Sequence, residues 1–201
     1  MSRTCRCEIA HVPRMVVLTG GPGAGKTAAL EVLQQETCRH VAVLPEVANM
    51  LWEGGFPRRS TVSAQRAAQR AITRVQIELQ RLALEDPMTG LVVCDRGTLD
   101  GLAYWPGDPA DYFADLGTTH ERELARYATV IHMQSATRDH GYRTSATRPE
   151  TAEQAFAIDE RILGAWANHP RRFVVETERE FLVKLDRVLA LLRAEIPVCC
   201  R

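Results

Sequence analysis

Short apolar runs alternate along the chain with longer stretches in which apolar residues recur every three or four positions. The runs occupy residues 15–19, 41–44, 91–94, 129–133 and 173–175. Runs of this length that are apolar throughout predict strands buried on both faces, which is typical of parallel sheets. Each run is followed by a stretch long enough to form a helix. The pattern therefore predicts a doubly wound α/β fold with a five-stranded parallel sheet.

The stretches between the runs predict helices. The longest covers residues 62–84, where Ile72, Val75, Leu79 and Leu82 share one face. A shorter helix is predicted at about 26–36. Three more are predicted to open at capping pairs and to reach about residues 127, 168 and 192. These pairs are Thr118 with Glu121, Thr151 with Gln154, and Thr177 with Glu180. No repeat or linker interrupts the order, so we expect one domain over residues 1–201, with a core at about 14–193.

Composition narrows the class of protein. The 201 residues are 45% hydrophobic and carry a formal net charge of zero. A neutral surface gives no general attraction to nucleic acid, so no nucleic-acid partner is expected. No apolar run approaches the roughly 20 residues of a membrane span, and the first residues lack the apolar stretch of a secretory signal. We expect a cytoplasmic protein without a membrane span.

The six cysteines give no familiar pattern. Four lie near the ends of the chain, as Cys5-x-Cys7 and Cys199-Cys200, while Cys94 lies in an apolar run and is expected in the core. No CxxC pair occurs, and no histidine stands at the spacing of a zinc site. The sequence predicts frayed termini with reduced cysteines, although the two ends would bring their cysteines together if they met.

A glycine-rich loop follows the first predicted strand. Residues 20–27 read GGPGAGKT and fit the pattern G-x-x-x-x-G-K-[ST], with a helix predicted directly after it. In this arrangement backbone N–H groups surround phosphate oxygens, the lysine reaches the β- and γ-phosphates, and the Thr27 hydroxyl binds Mg²⁺. We therefore expect ATP or GTP as the bound nucleotide, and the missing Asn-Lys-x-Asp guanine signature favours ATP. The predicted nucleotide-binding residues are Gly21, Pro22, Gly23, Ala24, Gly25, Lys26, Thr27 and Ala28.

Charged residues follow two other predicted strands. Asp95 and Arg96 come directly after the third run, and Glu46 comes after the second. Ligands of doubly wound folds lie at this edge of the sheet. Asp95 is expected to hold Mg²⁺ through water, and Arg96 to neutralise phosphate or contact substrate. Glu46 is expected to accept the proton of an attacking hydroxyl. The alternatives are a surface ion pair for Asp95 and Arg96, and for Glu46 either capping of the next segment or binding of a substrate amine.

Acidic and aromatic residues near the same strand ends are candidates for an acceptor pocket. Asp100 and Tyr104 follow Arg96, and Trp52 and Phe56 follow Glu46. The predicted substrate-binding residues are Glu46, Trp52, Arg96, Asp100 and Tyr104. Packing of Trp52 and Phe56 against the sheet is an equally simple explanation for those two residues.

A polar segment at about 134–150 is predicted to form a short lid. It carries Arg138, Arg143 and Arg148 at five-residue spacing, with Gly141 as a hinge. Arginines on a closing lid stabilise the charge of a transferring phosphoryl group and exclude water, so Arg138 and Arg143 are candidate catalytic residues. Solvated arginines on a mobile loop are the alternative.

Several motifs together resemble a known family. They are GGPGAGKT, Leu-Pro45-Glu46, Cys-Asp95-Arg96-Gly with Asp100 and Ala-Tyr104, and a late Phe-Ala-Ile-Asp159 stretch. From about residue 15 to 192 the chain resembles the small AAA-domain P-loop proteins grouped with the NadR kinase domain and the TRPL-translocation-defect proteins. The resemblance implies a P-loop, nucleoside-kinase-like fold. The chain also resembles deoxynucleoside kinases, which implies that Glu46 is the base.

Two function hypotheses follow. The first is an ATP-Mg²⁺-dependent kinase acting on a hydroxyl-bearing small molecule, such as a nucleoside-like acceptor. The second is an ATP- or GTP-binding switch with weak hydrolysis that acts through a protein or lipid partner. The residue after Asp95 is Arg96 rather than the glutamate that polarises hydrolytic water, which fits both. A nucleic-acid-modifying ATPase has only the lid arginines in its favour.

Overall fold

Five parallel strands form the centre of the molecule. A computed structural model of the chain describes Cys5, Cys7 and residues 10–135, 151–178 and 180–200. The strands are β1 (Arg14–Thr19), β2 (Val41–Leu44), β3 (Leu91–Asp95), β4 (Thr129–Met133) and β5 (Arg172–Val175). Their order across the sheet is β2-β3-β1-β4-β5, and every neighbouring pair is parallel. The predicted doubly wound parallel sheet is confirmed.

Seven α-helices and two 3-10 turns complete the described part of the chain. The helices are α1 (Lys26–Glu36), α2 (Val47–Glu53), α3 (Val62–Glu85), α4 (Pro109–Leu116), α5 (His120–Ala125), α6 (Ala152–Ala165) and α7 (Phe181–Glu195). The 3-10 turns are Thr98–Tyr104 and Val198–Cys200. Among the residues described, no helix is both long and apolar enough to span a bilayer.

Both faces of the sheet are covered because side chains alternate along each strand. Val16 and Leu18 pack on one side with residues of α1 and α7, including Leu33 and Leu192. Met15 and Val17 point to the other side, where they meet α6 and the first 3-10 turn. Trp166, which caps α6, is fully buried in this second layer. The two apolar layers hold β1 in the middle of the sheet, and the glycine-rich loop follows directly from it.

The helix boundaries correct three details of the sequence interpretation. Thr151 forms the predicted capping box with Gln154. The next cap is shifted by one residue, since Thr119 rather than Thr118 accepts the N–H of Arg122. Thr177 caps no helix: its hydroxyl donates to the Ser135 carbonyl, and α7 begins only at Phe181. Helix α6 also ends three residues earlier than predicted. Helices α2 and α4 and the first 3-10 turn were not predicted.

Helix α3 buries a polar face, which the apolar spacing did not predict. Its buried residues are Ala68, Thr73, Gln76 and Gln80, whereas Leu82 is exposed. Each buried polar side chain has a distant partner: Thr73 bonds to the Tyr112 hydroxyl, Gln76 to the Arg96 carbonyl and Gln80 to the Tyr127 hydroxyl. Burial of these groups is stable because they are hydrogen-bonded. The helix therefore orders the segment that leaves β3.

Tyr112 provides a test of this polar layer. It is fully buried, its hydroxyl donates to the Thr98 carbonyl at 2.5 Å, and Thr73 Oγ1 lies 3.0 Å away. We expect Tyr112→Phe to lower the free energy of unfolding by about 1–3 kcal/mol, because two buried polar groups lose their partner. Urea unfolding followed by circular dichroism measures this change. Equal midpoints for the variant and the wild type would contradict the role given to the hydroxyl.

Candidate active site

The loop between β1 and α1 adopts a conformation that only glycine tolerates. Gly20, Gly23 and Gly25 have φ values of 131°, 76° and 98°. A Cβ on Gly20 would lie 1.9 Å from the Met133 carbonyl oxygen, and one on Gly25 would lie 2.4 Å from the Phe181 ring. Positive φ values allow successive N–H groups to turn to one side, which is how such loops bind anions. The loop has the predicted P-loop form.

Lys26, the first residue of α1, is folded over this loop. Its Nζ donates to the carbonyls of Gly20 at 2.9 Å and Gly21 at 3.2 Å, and the residue is buried. Burial, with a contribution from Arg96, lowers the pKa of Lys26 below its usual value. Opposite charges in the site act against this shift. Thr27 follows on the exposed side of the first helical turn.

Asp95 ends β3 beside the P-loop. The Cα of Asp95 is paired with that of Leu18 in β1, and Asp95 lines the same cavity as Lys26. Its Oδ1 is buried and has no hydrogen-bond partner among the described residues. Burial raises the pKa of Asp95 to about 6, and Lys26 opposes the shift. Burial of a carboxylate oxygen without a partner costs free energy in the free protein. Such an oxygen can accept a hydrogen bond from a ligand or coordinate a cation.

Arg96 is held in an unusual conformation next to Asp95. Its φ of 72° is the left-handed region, which costs about 1 kcal/mol or more for a residue with a side chain. Its N–H donates to the Leu18 carbonyl at 3.0 Å, and its carbonyl accepts from Gln76 at 2.5 Å. Its guanidinium donates through Nε to Glu46 Oε1 at 2.5 Å. Burial works against the charge of Arg96, but Glu46, Tyr104, Asp100 and Asp95 together outweigh burial and raise the Arg96 pKa above its usual value.

Glu46 and Tyr104 complete the surroundings of this arginine. Glu46 precedes α2 at the end of β2, and its second carboxylate oxygen accepts from Asn49 at 3.2 Å. The guanidinium carbon of Arg96 lies 5.7 Å from the centre of the Tyr104 ring, within the range of a cation–π contact. Glu46 and Arg96, which were predicted at two neighbouring strand ends with separate roles, thus form a direct ion pair that the sequence did not predict.

Asp100 is occupied by contacts within the fold. Both of its carboxylate oxygens accept from the Thr19 hydroxyl, at 2.8 and 2.7 Å, and one also accepts from Trp166 Nε1 at 2.6 Å. Its other neighbour is Arg96, at 3.7 Å. These bonds connect the end of β1, the first 3-10 turn and α6. The carboxylate that was predicted to bind substrate therefore also positions the P-loop strand.

A single cavity of about 1040 Å³ joins the P-loop to the segment after β3 and to helices α2 and α3. Its lining includes most residues selected from the sequence, namely Pro22, Gly23, Ala24, Gly25, Lys26, Thr27, Ala28, Glu46, Trp52, Asp95, Arg96, Asp100 and Tyr104. Two described candidates do not line it. The Gly21 N–H donates to Asp159 at 2.6 Å, and Phe56 contacts the Trp52 ring, with 5.9 Å between the ring centres. The candidate lid arginines Arg138, Arg143 and Arg148 lie outside the described residues.

Two buried residues that support the P-loop were not predicted as site residues. Asp159 on α6 accepts from the N–H groups of Gly21 and Ser135, and His132 Nε2 lies 3.1 Å from it. Burial opposes its charge, but these hydrogen bonds outweigh burial and lower its pKa. Lys184 on α7 donates to the carbonyls of Ala24 and Gln134. The signal in the sequence is a charged residue within the apolar face of each helix, and Asp159 also lies in the late Phe-Ala-Ile-Asp stretch of the family resemblance.

The cavity wall opposite the P-loop also contains residues that were missed. Arg58 and Arg59 line it from the segment after α2, and Gln69 and Gln76 line it from α3. Arg58 lies 5.6 Å from the Trp52 ring, so a cation covers the aromatic side chain at this end. The sequence signal is a pair of adjacent arginines in a short polar segment.

The fold and the P-loop together define a class: P-loop proteins with the fold of nucleoside and nucleotide kinases. Thymidylate kinase from Ehrlichia chaffeensis has a TM-score of 0.61 and 15% identity, over 90% of this chain and 98% of that one. Thymidylate kinase from Candida albicans has a TM-score of 0.59 and 10% identity, over 94% and 97%. A NadR protein in complex with NR has a TM-score of 0.68 and 16% identity, and the match covers 92% of this chain and 52% of that one.

The family model described as AAA domain matches residues 15–180, and the chain belongs to this family of small P-loop proteins. The resemblance stated from the motifs is thereby confirmed. No curated protein matches the sequence. At identities of 10–16%, the solved structures establish the fold alone.

The raised pKa of Asp95 predicts a gain in stability when its charge is removed. In the folded protein the pKa is about 6 against an ordinary value of 3.8, so the folded form binds more protons between these values. Stability contributed by this group therefore falls as pH rises through that window. In metal-free buffer we expect Asp95→Asn to unfold with a free energy about 1–3 kcal/mol higher at about pH 7.5, with the difference shrinking towards about pH 4.

Urea unfolding at both pH values measures the effect of Asp95→Asn. Asp186→Asn, on the exposed side of α7, is the matched control and should show no such pH-dependent gain. A wild-type protein that is as stable as Asp95→Asn at the higher pH would contradict the cost assigned to this carboxylate.

Proposed function

We propose that the protein is an ATP-Mg²⁺-dependent kinase that transfers a phosphoryl group to a hydroxyl of a small, nucleoside-like molecule. The observation that carries the proposal is the continuity of the cavity, which joins Lys26 of the P-loop to the Glu46–Arg96 ion pair. A phosphotransferase needs a phosphate-binding group and a proton acceptor open to the same space. The remaining wall, with Trp52 and Tyr104, offers flat surfaces for a ring-containing acceptor.

The P-loop and its neighbours fit a nucleoside triphosphate with Mg²⁺. Positive φ values at three glycines suit a loop whose N–H groups surround phosphate, and Lys26 Nζ can exchange its two carbonyl partners for phosphate oxygens. The unpartnered oxygen of Asp95 and the exposed Thr27 line the same cavity and supply the oxygen ligands that Mg²⁺ prefers. When bound, the cation neutralises charge on the terminal phosphates.

Glu46 is the proposed proton acceptor. One carboxylate oxygen accepts from Arg96 and the other from Asn49, so the group is oriented by two side chains. A hydroxyl that enters the cavity and displaces the Asn49 amide would donate to that second oxygen. The proton would move there as the hydroxyl oxygen attacks the terminal phosphorus of ATP, and ADP would leave. Arg96 forms an ion pair with Glu46 in the free protein, and its largely buried guanidinium is close enough to the P-loop to donate to the Gly20 carbonyl at 3.3 Å. It would therefore offset negative charge on the transferring group.

The similar structures support an acceptor of the nucleoside or nucleotide class. Two are thymidylate kinases by name, and the third is a NadR protein in complex with NR. The exposed Arg58 and Arg59 at the far end of the cavity would suit an acceptor with an anionic group, while the aromatic lining would suit its ring.

The test is a phosphorylation assay with ATP, Mg²⁺ and a panel of nucleosides and nucleoside monophosphates, read by mass spectrometry. With an acceptor in hand, Glu46→Gln should lower kcat by about 10²- to 10⁴-fold, the range that a general base supplies, with ATP affinity within about threefold. Lys26→Ala should lose most of the ATP affinity measured by calorimetry, because the residue holds the phosphates. Glu85→Gln, exposed at the end of α3, is the matched control and should leave both unchanged.

Three outcomes would count against the kinase. A Glu46→Gln variant with wild-type kcat would remove the proposed base. A Lys26→Ala variant with full ATP affinity would remove the phosphate site. Absence of any product, together with a protein partner that binds only in one nucleotide state, would favour the switch.

A further inference from the structure

Five of the six cysteines gather at the edge of the sheet opposite the P-loop. Cys38 and His40 lie just before β2, and in a parallel sheet the amino ends of the strands share one edge. Cys200 ends the second 3-10 turn, after α7, and its Sγ lies 2.9 Å from that of Cys38. Cys5 comes from the other terminus, and its Sγ donates to the Cys199 carbonyl at 3.3 Å. The two ends of the chain therefore meet here, contrary to the expectation of frayed termini.

Four side chains in this cluster surround a common point. The sulfur atoms of Cys5, Cys38 and Cys200 and a ring nitrogen of His40 all lie within 4.8 Å of one another. His40 Nδ1 is 3.1 Å from Cys200 Sγ and 3.5 Å from Cys38 Sγ. Around tetrahedral zinc, with ligand bonds of about 2.0–2.3 Å, ligand atoms are roughly 3.5–3.8 Å apart. Three distances in the cluster, 2.9, 3.1 and 3.5 Å, lie at or just below that spacing, and none exceeds 4.8 Å, so small side-chain adjustments would admit the ion.

We propose that Cys5, Cys38, His40 and Cys200 bind one Zn²⁺ as a structural site. Three thiolates and one imidazole form a closed tetrahedral set, and soft sulfur ligands favour zinc over Mg²⁺ or Ca²⁺. With all four positions filled by protein, no position stays open for a substrate. The site joins the amino-terminal segment, the α1–β2 connection and the carboxyl-terminal turn, which come from three distant parts of the sequence. This inference does not rest on the proposed kinase activity.

A second, smaller group adjoins the first. Cys199 Sγ lies 3.4 Å from His11 Nε2 and 3.4 Å from Cys200 Sγ, and Cys7 completes this set. It offers three ligands, and Cys199 is exposed whereas Cys38 and His40 are buried. We assign the ion to the first group, because only that group closes a tetrahedron with buried members.

A disulfide between Cys38 and Cys200 is the competing explanation for their proximity. It would require an oxidant, and it would give no role to His40, which lies beside both sulfur atoms. A metal uses the imidazole and both thiolates, and it needs no change of oxidation state. The side chains present therefore favour the metal.

The test begins with metal analysis of the full-length protein, purified under reducing conditions without chelators or metal-affinity resins. We expect one equivalent of zinc per chain. Cys38→Ser and Cys200→Ser should lose it, while two cysteine controls should retain it: Cys94→Ala, in the core of the opposite layer, and Cys199→Ser, in the smaller group. Loss of zinc in Cys199→Ser but not in Cys38→Ser would overturn the assignment of ligands.

A second measurement uses the unmodified protein, in case the variants fail to fold. After removal of zinc, titration with Co²⁺ should give one equivalent with the absorption of tetrahedral cobalt and a thiolate charge-transfer band. Chelation should lower Tm by about 5 °C or more, because the metal holds three chain segments together. Nucleotide binding measured below that transition should persist, which separates this result from the kinase proposal. Substoichiometric zinc without a cobalt band, or a Cys38–Cys200 disulfide in the freshly purified protein, would overturn the inference.

Discussion

The parallel pairing of β1 with β3 is the constraint on which the candidate site depends. It sets Asp95 opposite Leu18, so the chain that leaves β3 lies beside the chain that enters the P-loop. The N–H of Arg96 then reaches the Leu18 carbonyl, and Arg96 itself adopts the left-handed conformation. This conformation directs the Arg96 guanidinium towards Glu46 at the end of β2 and away from the direction of β3. The strain is local, and it is offset by hydrogen bonds to the backbone and side chain of the same residue.

Burial of charge explains why this edge of the sheet suits an anion and a cation together. Lys26, Asp95 and Arg96 are all largely removed from water. The opposite charges around Arg96 outweigh its burial, whereas those around Lys26 and Asp95 only partly compensate the loss of hydration. The uncompensated cost of burial is visible at Asp95, where one carboxylate oxygen has no hydrogen-bond partner among the described residues. Meanwhile the P-loop backbone is held by a buried carboxylate, Asp159, from one side and by a buried ammonium, Lys184, from the other. The loop is thus held in place by contacts within the fold, while the Asp95 carboxylate is left incompletely satisfied.

The sequence predicted what depends on neighbours along the chain. The P-loop, the five strands and the Thr151 cap all rest on patterns of fewer than ten residues, and the structure contains them. Prediction failed where the deciding contact is distant. Thr177 bonds across to Ser135 instead of capping α7, and the buried polar face of α3 is intelligible only once Tyr112 and Arg96 are in place. The cysteine cluster is the extreme case, because its members are separated by up to 195 positions and no local spacing marks them.

Strand β2 connects the two ends of the sheet, which are the carboxyl ends of the strands at the P-loop and the amino ends at the cysteine cluster. This strand has only four residues, lies at the outside of the sheet and pairs with β3 alone. Glu46 follows its carboxyl end, and His40 immediately precedes its amino end, where the His40 carbonyl accepts the N–H groups of Gly90 and Leu91. A short edge strand held by one neighbour moves more readily than a central one. Fixing Cys38 and His40 to both termini through a metal would restrain β2 from its far end. The position of Glu46 against Arg96 would then depend on a metal site at the amino ends of the strands, where the two ends of the chain meet.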